Sequence, residues 1–114
     1  GGGSPTAPVV VAPTPRSAPT PIATPSTIWG FSGTGDSVFD MPTYIRRVKI
    51  DAFYGGRCQK FVVRIAGRLV VNVIMGNCSV ADAGRDFTGT YLTQGGVVEI
   101  THSTGVQWTF IEMR

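Results

Sequence analysis

His102 is the only histidine in the chain, and Ser103 follows it directly. A Ser-His-acid relay needs a hydroxyl presented to the imidazole across a site, usually from a strained elbow. No Gly-x-Ser-x-Gly segment is present, and a serine adjacent in sequence does not supply that geometry. His102 therefore reads as a surface histidine at a strand end. The seven carboxylates are Asp36, Asp40, Asp51, Asp82, Asp86, Glu99 and Glu112. Glycoside hydrolysis needs two of them facing each other across a cleft, yet they are scattered over turns and strand faces of a small domain. The Asp36/Asp40 and Asp82/Asp86 pairs have the oxygen chemistry of a calcium loop. Their Asp-x-x-x-Asp spacing matches no calcium motif, Arg85 offers Asp86 a competing partner, and aspartate is an ordinary turn former. The expectation is no catalysis, no metal and no cofactor.

Binding chemistry is better represented. Flat rings beside amide, hydroxyl and guanidinium groups are the means of sugar recognition. The candidate rings are Trp29, Tyr44, Tyr54, Tyr91 and Trp108. Trp108 alternates in register with Val106 and Phe110 and is assigned to the core. Tyr54 closes a long apolar-polar run just before Gly55-Gly56, so it is the preferred platform, followed by Tyr91 and then Trp29. Arg46, Arg47 and Asn72 are the expected polar partners. Tyrosines at strand ends also cover core edges, which is the competing account. Arg46, Arg47 and Lys49 form the one local basic cluster, extended by Lys60 and Arg64 if their strand is a neighbour. Such a face suits an anionic polysaccharide or lipid headgroups, or is simply solvated. A formal charge of +3 is too small an imbalance to argue for nucleic acid.

These residues sit in a pattern that is strand-like from Thr27 onward. Short runs of Val, Ile, Phe, Tyr and Thr alternate with Gly, Asn, Asp and Ser clusters. Seven or eight strands are expected. The first is 27–31, before a polar turn at 32–36; a short one around Val38-Phe39 stops near Pro42; the third runs from Tyr44 to Phe53. Residues 59–65 and 69–75 form a hairpin about the tight turn Ala66-Gly67-Arg68. The second of these strands is apolar on both faces, which places it centrally. Three more occupy 89–92, 97–101 and 106–113, and 79–85 is loop or a single helical turn. The fold class is all-β, an antiparallel β-sandwich of jelly-roll or Ig-like type.

Cys58 precedes the fourth strand and Cys78 follows the fifth, so both lie at the open end of one hairpin. A disulfide there would staple it; two reduced thiols are the alternative. Ahead of this domain (27–114) lies a tether (1–26) that holds seven of the eight prolines, interleaved with Thr, Ala, Ser and Val. Such a segment favours disordered, extended polyproline-II conformations and acts as a spacer.

Gly1-Gly2-Gly3-Ser4 followed by the Pro/Thr/Ala tract resembles the mature start of a Gram-negative bacterial lipoprotein. The resemblance implies a lipid-modified cysteine upstream of Gly1, export to the periplasm or outer-membrane surface, and membrane attachment through that lipid alone. GGGS is also the composition of a plain flexible linker. The strand run ending in Val106-Gln107-Trp108-Thr109-Phe110 is similar to small surface and carbohydrate-binding sandwich modules. The combined expectation is a monomeric, non-catalytic display domain that recognises cell-wall or surface glycan. A protein-interaction module of the envelope, such as a surface antigen, is the alternative.

Overall fold

Alternation in the central strands determines what becomes inside and outside. In the computed structural model, which describes residues 26–79 and 84–114, eight strands form: β1 (Gly30–Thr34), β2 (Ser37–Met41), β3 (Arg47–Phe53), β4 (Gln59–Ile65), β5 (Arg68–Met75), β6 (Asp86–Leu92), β7 (Gly96–Thr101) and β8 (Gln107–Glu112). The Pro-rich tract and Asp82 lie outside the described residues. Val48, Ile50 and Ala52 of β3 point inward with Trp108 and Phe110 of β8. Phe61, Val63 and Ile65 of β4 and Val98 and Ile100 of β7 meet them from the other layer. Ile45 and Val106 are buried with them.

The two antiparallel sheets have orders β1-β8-β3-β6 and β2-β7-β4-β5. Strand pairs β1/β8, β2/β7, β3/β6 and β4/β5 are those of one long hairpin wrapped into two layers. This is the double Greek key of a jelly roll, which resolves the choice between jelly-roll and Ig-like topologies. The tip of the wrapped hairpin is the two-residue turn Ala66-Gly67. Both residues have positive φ (51° and 79°), the conformation that matches the twist of paired strands.

The structure differs from the sequence pattern in four elements, one of them β3, which begins at Arg47 and not at Tyr44. The first strand begins at Gly30 and runs through Ser32-Gly33-Thr34, whose composition is that of a turn. Gly33 is a strand residue because the Trp108 ring lies against it: a Cβ there would come within 2.7 Å of Cζ2. The strand expected at 89–92 begins earlier, at Asp86. β5 is an edge strand, although its apolar residues on both faces point to a central one. The cause is a bulge: pairing jumps from Val63↔Val71 to Arg64↔Leu69, leaving Val70 unpaired. The phase reverses there, so Leu69 turns outward and is 48 % exposed, while Val70 packs against the core.

The Cys58–Cys78 disulfide forms at the open end of the β4–β5 hairpin, with Cα atoms 5.2 Å apart. Its placement depends on Gly76, whose φ is 106°. The Arg57 carbonyl lies where a Cβ of residue 76 would project. That close approach is held by Asn77 N–H donating to Gly56 O at 2.7 Å and Gly76 N–H donating to Gly84 O at 2.8 Å. A cross-link over 20 residues restricts the unfolded chain by about 3 kcal/mol. A Cys58→Ala/Cys78→Ala double variant is therefore expected to melt roughly 10–20 °C lower than the oxidised protein. Thermal denaturation with and without reductant checks this: the wild type under reducing conditions should fall to the variant's Tm.

Candidate functional site

The alternation that fills the core leaves a polar outer face on the β1-β8-β3-β6 sheet. The register sets its residues in cross-strand rows. One row is Thr34, Gln107, Phe53 and Asp86; the next is Ser32, Thr109, Asp51 and Thr88. These two rows line a concavity of about 660 Å³. The twist of a four-stranded sheet makes such a face a shallow trough. Phe53 is its aromatic member and is 39 % exposed. The Arg85 guanidinium carbon lies 5.9 Å from the centre of that ring, a cation–π distance. Asp51 is paired with Lys49 at 3.6 Å, with both side chains about 40 % exposed. The trough thus offers hydroxyls, one amide, two carboxylates and a ring edged by a cation.

The sandwich has two ends, and they divide the residues singled out from the sequence. At the disulfide end are Tyr54, the Gly35-Asp36 turn and the 102–105 turn; at the β4–β5 turn end are Trp29, Arg46, Arg47 and Tyr91. Arg47 is the first residue of β3 and Tyr54 follows its last, which sets them roughly 23 Å apart at a strand's rise per residue. Asn72 is exposed on β5 of the other sheet. The structure therefore does not gather the six into one site. Trp29, Tyr54 and Tyr91 are half-buried and pack against the core. Trp29 stacks at 8° on Phe31, Tyr54 lies over Gly56, and Tyr91 lies over Gly89. Burial raises the Tyr91 phenol above its ordinary pKa.

The basic cluster also divides. Lys60 and Arg64 are on β4, in the opposite sheet from Lys49. Arg64 pairs in register with Glu99. Tyr44 packs against the core, and Trp108 is a core residue at 3 % exposure, as its alternation implies.

Ser103 has a structural role that explains its neighbourhood. It is fully buried. Its backbone N–H donates to Asp36 Oδ1 at 2.8 Å, its hydroxyl donates to Thr101 O at 2.7 Å, and the hydroxyl oxygen accepts from Val62 N–H at 3.2 Å. The side chain thus ties the 102–105 turn to β4 and to the first corner. His102, with φ of 54°, is exposed on that turn. The Ser103 hydroxyl is spent on backbone partners, and Asp36 is engaged in the same knot. Among the described residues no cluster of three or more His, Cys, Asp or Glu side chains could hold a metal.

Sequence reasoning does not single out Phe53, Gln107, Thr109 or Thr88 as ligand groups. Their signal is present: each occupies the outward phase of a strand whose inward phase is apolar. Finding them requires the strand order, which joins β1, β8, β3 and β6 from both ends of the chain. Glu112 is a further residue missed. It is 5 % exposed and accepts from Trp29 N–H at 3.0 Å and from Arg114 Nε at 2.8 Å. Arg114 also reaches Thr27 O at 3.3 Å. This clamp fixes the segment that leads into β1.

Hydrogen bonding to Arg114, then to the Trp29 backbone, holds the Glu112 carboxyl below its ordinary pKa. A carboxylate depressed in the folded state contributes stability above its unfolded value and loses it as pH falls through the folded one. The Tm gap between wild type and Glu112→Gln should therefore be full at neutral pH, begin to shrink near the ordinary carboxylate pKa of about 4.3, and close as pH falls through the lower folded value. Melting curves across that range check it; a gap of equal size at both extremes would contradict the assignment.

No family model, no curated protein and no solved structure matches the chain.

Proposed function

We propose that this domain is a non-catalytic glycan-recognition module, carried outside the cytosol on a Pro-rich tether in the manner of a bacterial lipoprotein and recognising cell-wall or surface glycan. The observation that carries this reading is the trough on the β1-β8-β3-β6 sheet, where exposed Phe53 stands among Asp51, Asp86, Gln107 and Thr109. A sugar ring has an apolar face and a rim of hydroxyls. Phe53 supplies a surface for the first, and carboxylates and the amide accept and donate to the second. The contribution of Arg46, Arg47 and Asn72, expected from sequence, passes in this reading to Asp51, Asp86 and Gln107. The disulfide is compatible with an oxidising exported environment, which supports the placement outside the cytosol.

One observation favours a second reading, a small hydrolase: Asp51 and Asp86 share the trough. General-acid work needs one carboxyl kept protonated by a dry environment. Asp86 is exposed, and Asp51 is half-open and partnered by Lys49. Binding without turnover suits that solvation better.

A glycan array followed by calorimetry on the best ligand tests the proposal. Phe53→Ala should weaken that ligand roughly tenfold, the scale of one lost aromatic stacking contact, and Gln107→Ala should weaken it measurably. Tyr54→Ala should act only through stability. Absence of any glycan hit, or a hit indifferent to Phe53, would refute this site. Product release abolished by Asp51→Asn or Asp86→Asn would establish the hydrolase instead.

A further inference from the structure

The β4–β5 turn end of the sandwich has a different surface chemistry from the trough. Leu92 closes β6 there and is 82 % exposed. Across the sheet from it, Arg47 is its register partner, and Met113 N–H donates to Arg47 O at 2.9 Å, so a row of Met113, Arg47 and Leu92 forms at this rim. Leu69, beside the Ala66-Gly67 turn, is 48 % exposed and next to Arg68; Met113 is 37 % exposed. Arg46 and Arg68 each border a hollow that includes Leu92. Among the described residues the acids near this rim are Glu112, which is buried and bonded to Arg114, Asp40, next to the last residue of β2, and Glu99, set back on β7 in register with Arg64, the partner of Leu69.

The rim is rigid. Thr93 N–H donates to Arg46 O at 3.0 Å, Arg46 Nη1 donates to Thr43 O at 2.7 Å, and Ala66 N–H donates to Val97 O at 2.8 Å. Gly95, with φ of 74°, lies where Pro42 O leaves no room for a Cβ. Leu92 is thus held out into solvent by turns tied to one another.

We propose that this end of the domain docks on an anionic lipid bilayer, with Leu92 and Met113 of one row entering the interfacial region and Arg46, Arg47 and Arg68 binding lipid phosphates. The apolar side chains are separate points, each beside an arginine. A protein partner would need a matching set of pockets, whereas a fluid interface closes around isolated side chains without one. Arginine presents a planar donor fork to phosphate and keeps its apolar stem along the hydrocarbon boundary. Each cation near an anionic bilayer strengthens binding about fivefold, so three of them with two apolar side chains give a measurable, reversible attachment. Residues 27–29 enter the sandwich at this same end, clamped by Glu112 and Arg114, and the Phe53 trough faces the other half of the sheet. This proposal does not rest on the glycan reading.

Flotation of the 114-residue chain with two vesicle types tests it: phosphatidylcholine alone, and phosphatidylcholine with phosphatidylglycerol. The expected result is binding to the anionic vesicles only, reduced by salt. Arg47→Glu and Arg68→Glu should each weaken it roughly fivefold or more, Leu92→Ser should weaken it with Tm unchanged, and Arg57→Glu at the disulfide end should leave it intact. No flotation with anionic vesicles, equal flotation with neutral ones, or equal loss with Arg57→Glu would overturn the proposal. So would concentration-dependent self-association abolished by Leu92→Ser, which would assign the rim to a second copy of the chain.

Discussion

The packing of Trp108 is the constraint on which this sandwich depends. Its ring fills the space over Gly33, stacks 5.5 Å from Phe39 and meets Phe110 edge-on at 5.7 Å. Its indole N–H donates to Gly35 O at 2.8 Å. Phe39 belongs to one sheet, Gly33 and Phe110 to the other, and Gly35 to the corner between them. One side chain therefore joins both layers and fixes where the chain crosses from the first to the second. A buried ring with its polar atom satisfied makes such a joint both strong and directional. The Asp36–Ser103 knot closes the same corner from outside, so the first crossover is held at two points.

That joint commits the faces of the sheet. Once Trp108 and Phe110 point inward, Gln107 and Thr109 must point outward, and the partners of β8 on either side inherit the same phase. Ser32 and Thr34 on β1, Asp51 and Phe53 on β3, and Thr88 on β6 are thereby drawn onto one surface. The trough is thus a consequence of core packing, and a change in register at β8 would dismantle it together with the core. Its one ring, Phe53, is an outward-phase residue at a strand end, where an aromatic side chain is not needed to fill the interior.

The parts legible in the sequence are those governed by local rules. Alternation marks the strands, glycines mark most turns, and the position of Cys58 and Cys78 about one hairpin points to the cross-link. Three failures have local causes that tertiary contacts override. Gly33 has the composition of a turn, but its lack of a side chain serves the Trp108 ring. β5 carries apolar residues on both faces because a bulge at Val70 reverses its phase, not because it is covered on both sides. Tyr54, Tyr91 and Trp29 look exposed at strand ends, yet Gly56, Gly89 and Phe31 receive their rings. The site itself is not legible, because a row such as Thr34-Gln107-Phe53-Asp86 unites residues far apart in the chain through strand order, which no local pattern encodes.

The wrapped-hairpin topology also sets orientation. In a jelly roll, successive strands alternate direction, so loops gather at two opposite ends and the chain's entry is committed to one of them. Here the entry at 27–29 shares its end with Leu92, Arg46 and Arg68, while the disulfide, Tyr54 and the trough belong to the other half. If a tether draws the entry end toward a surface, the rim that arrives first is the one whose side chains are apolar and cationic, and the polar trough is left facing away. A fold with its entry at the disulfide end would turn the trough toward the surface instead. The Glu112–Arg114 clamp matters for this reason: it makes the entry segment 27–29 part of the sandwich, so that the end at which the chain enters and the face that carries the trough are fixed relative to each other.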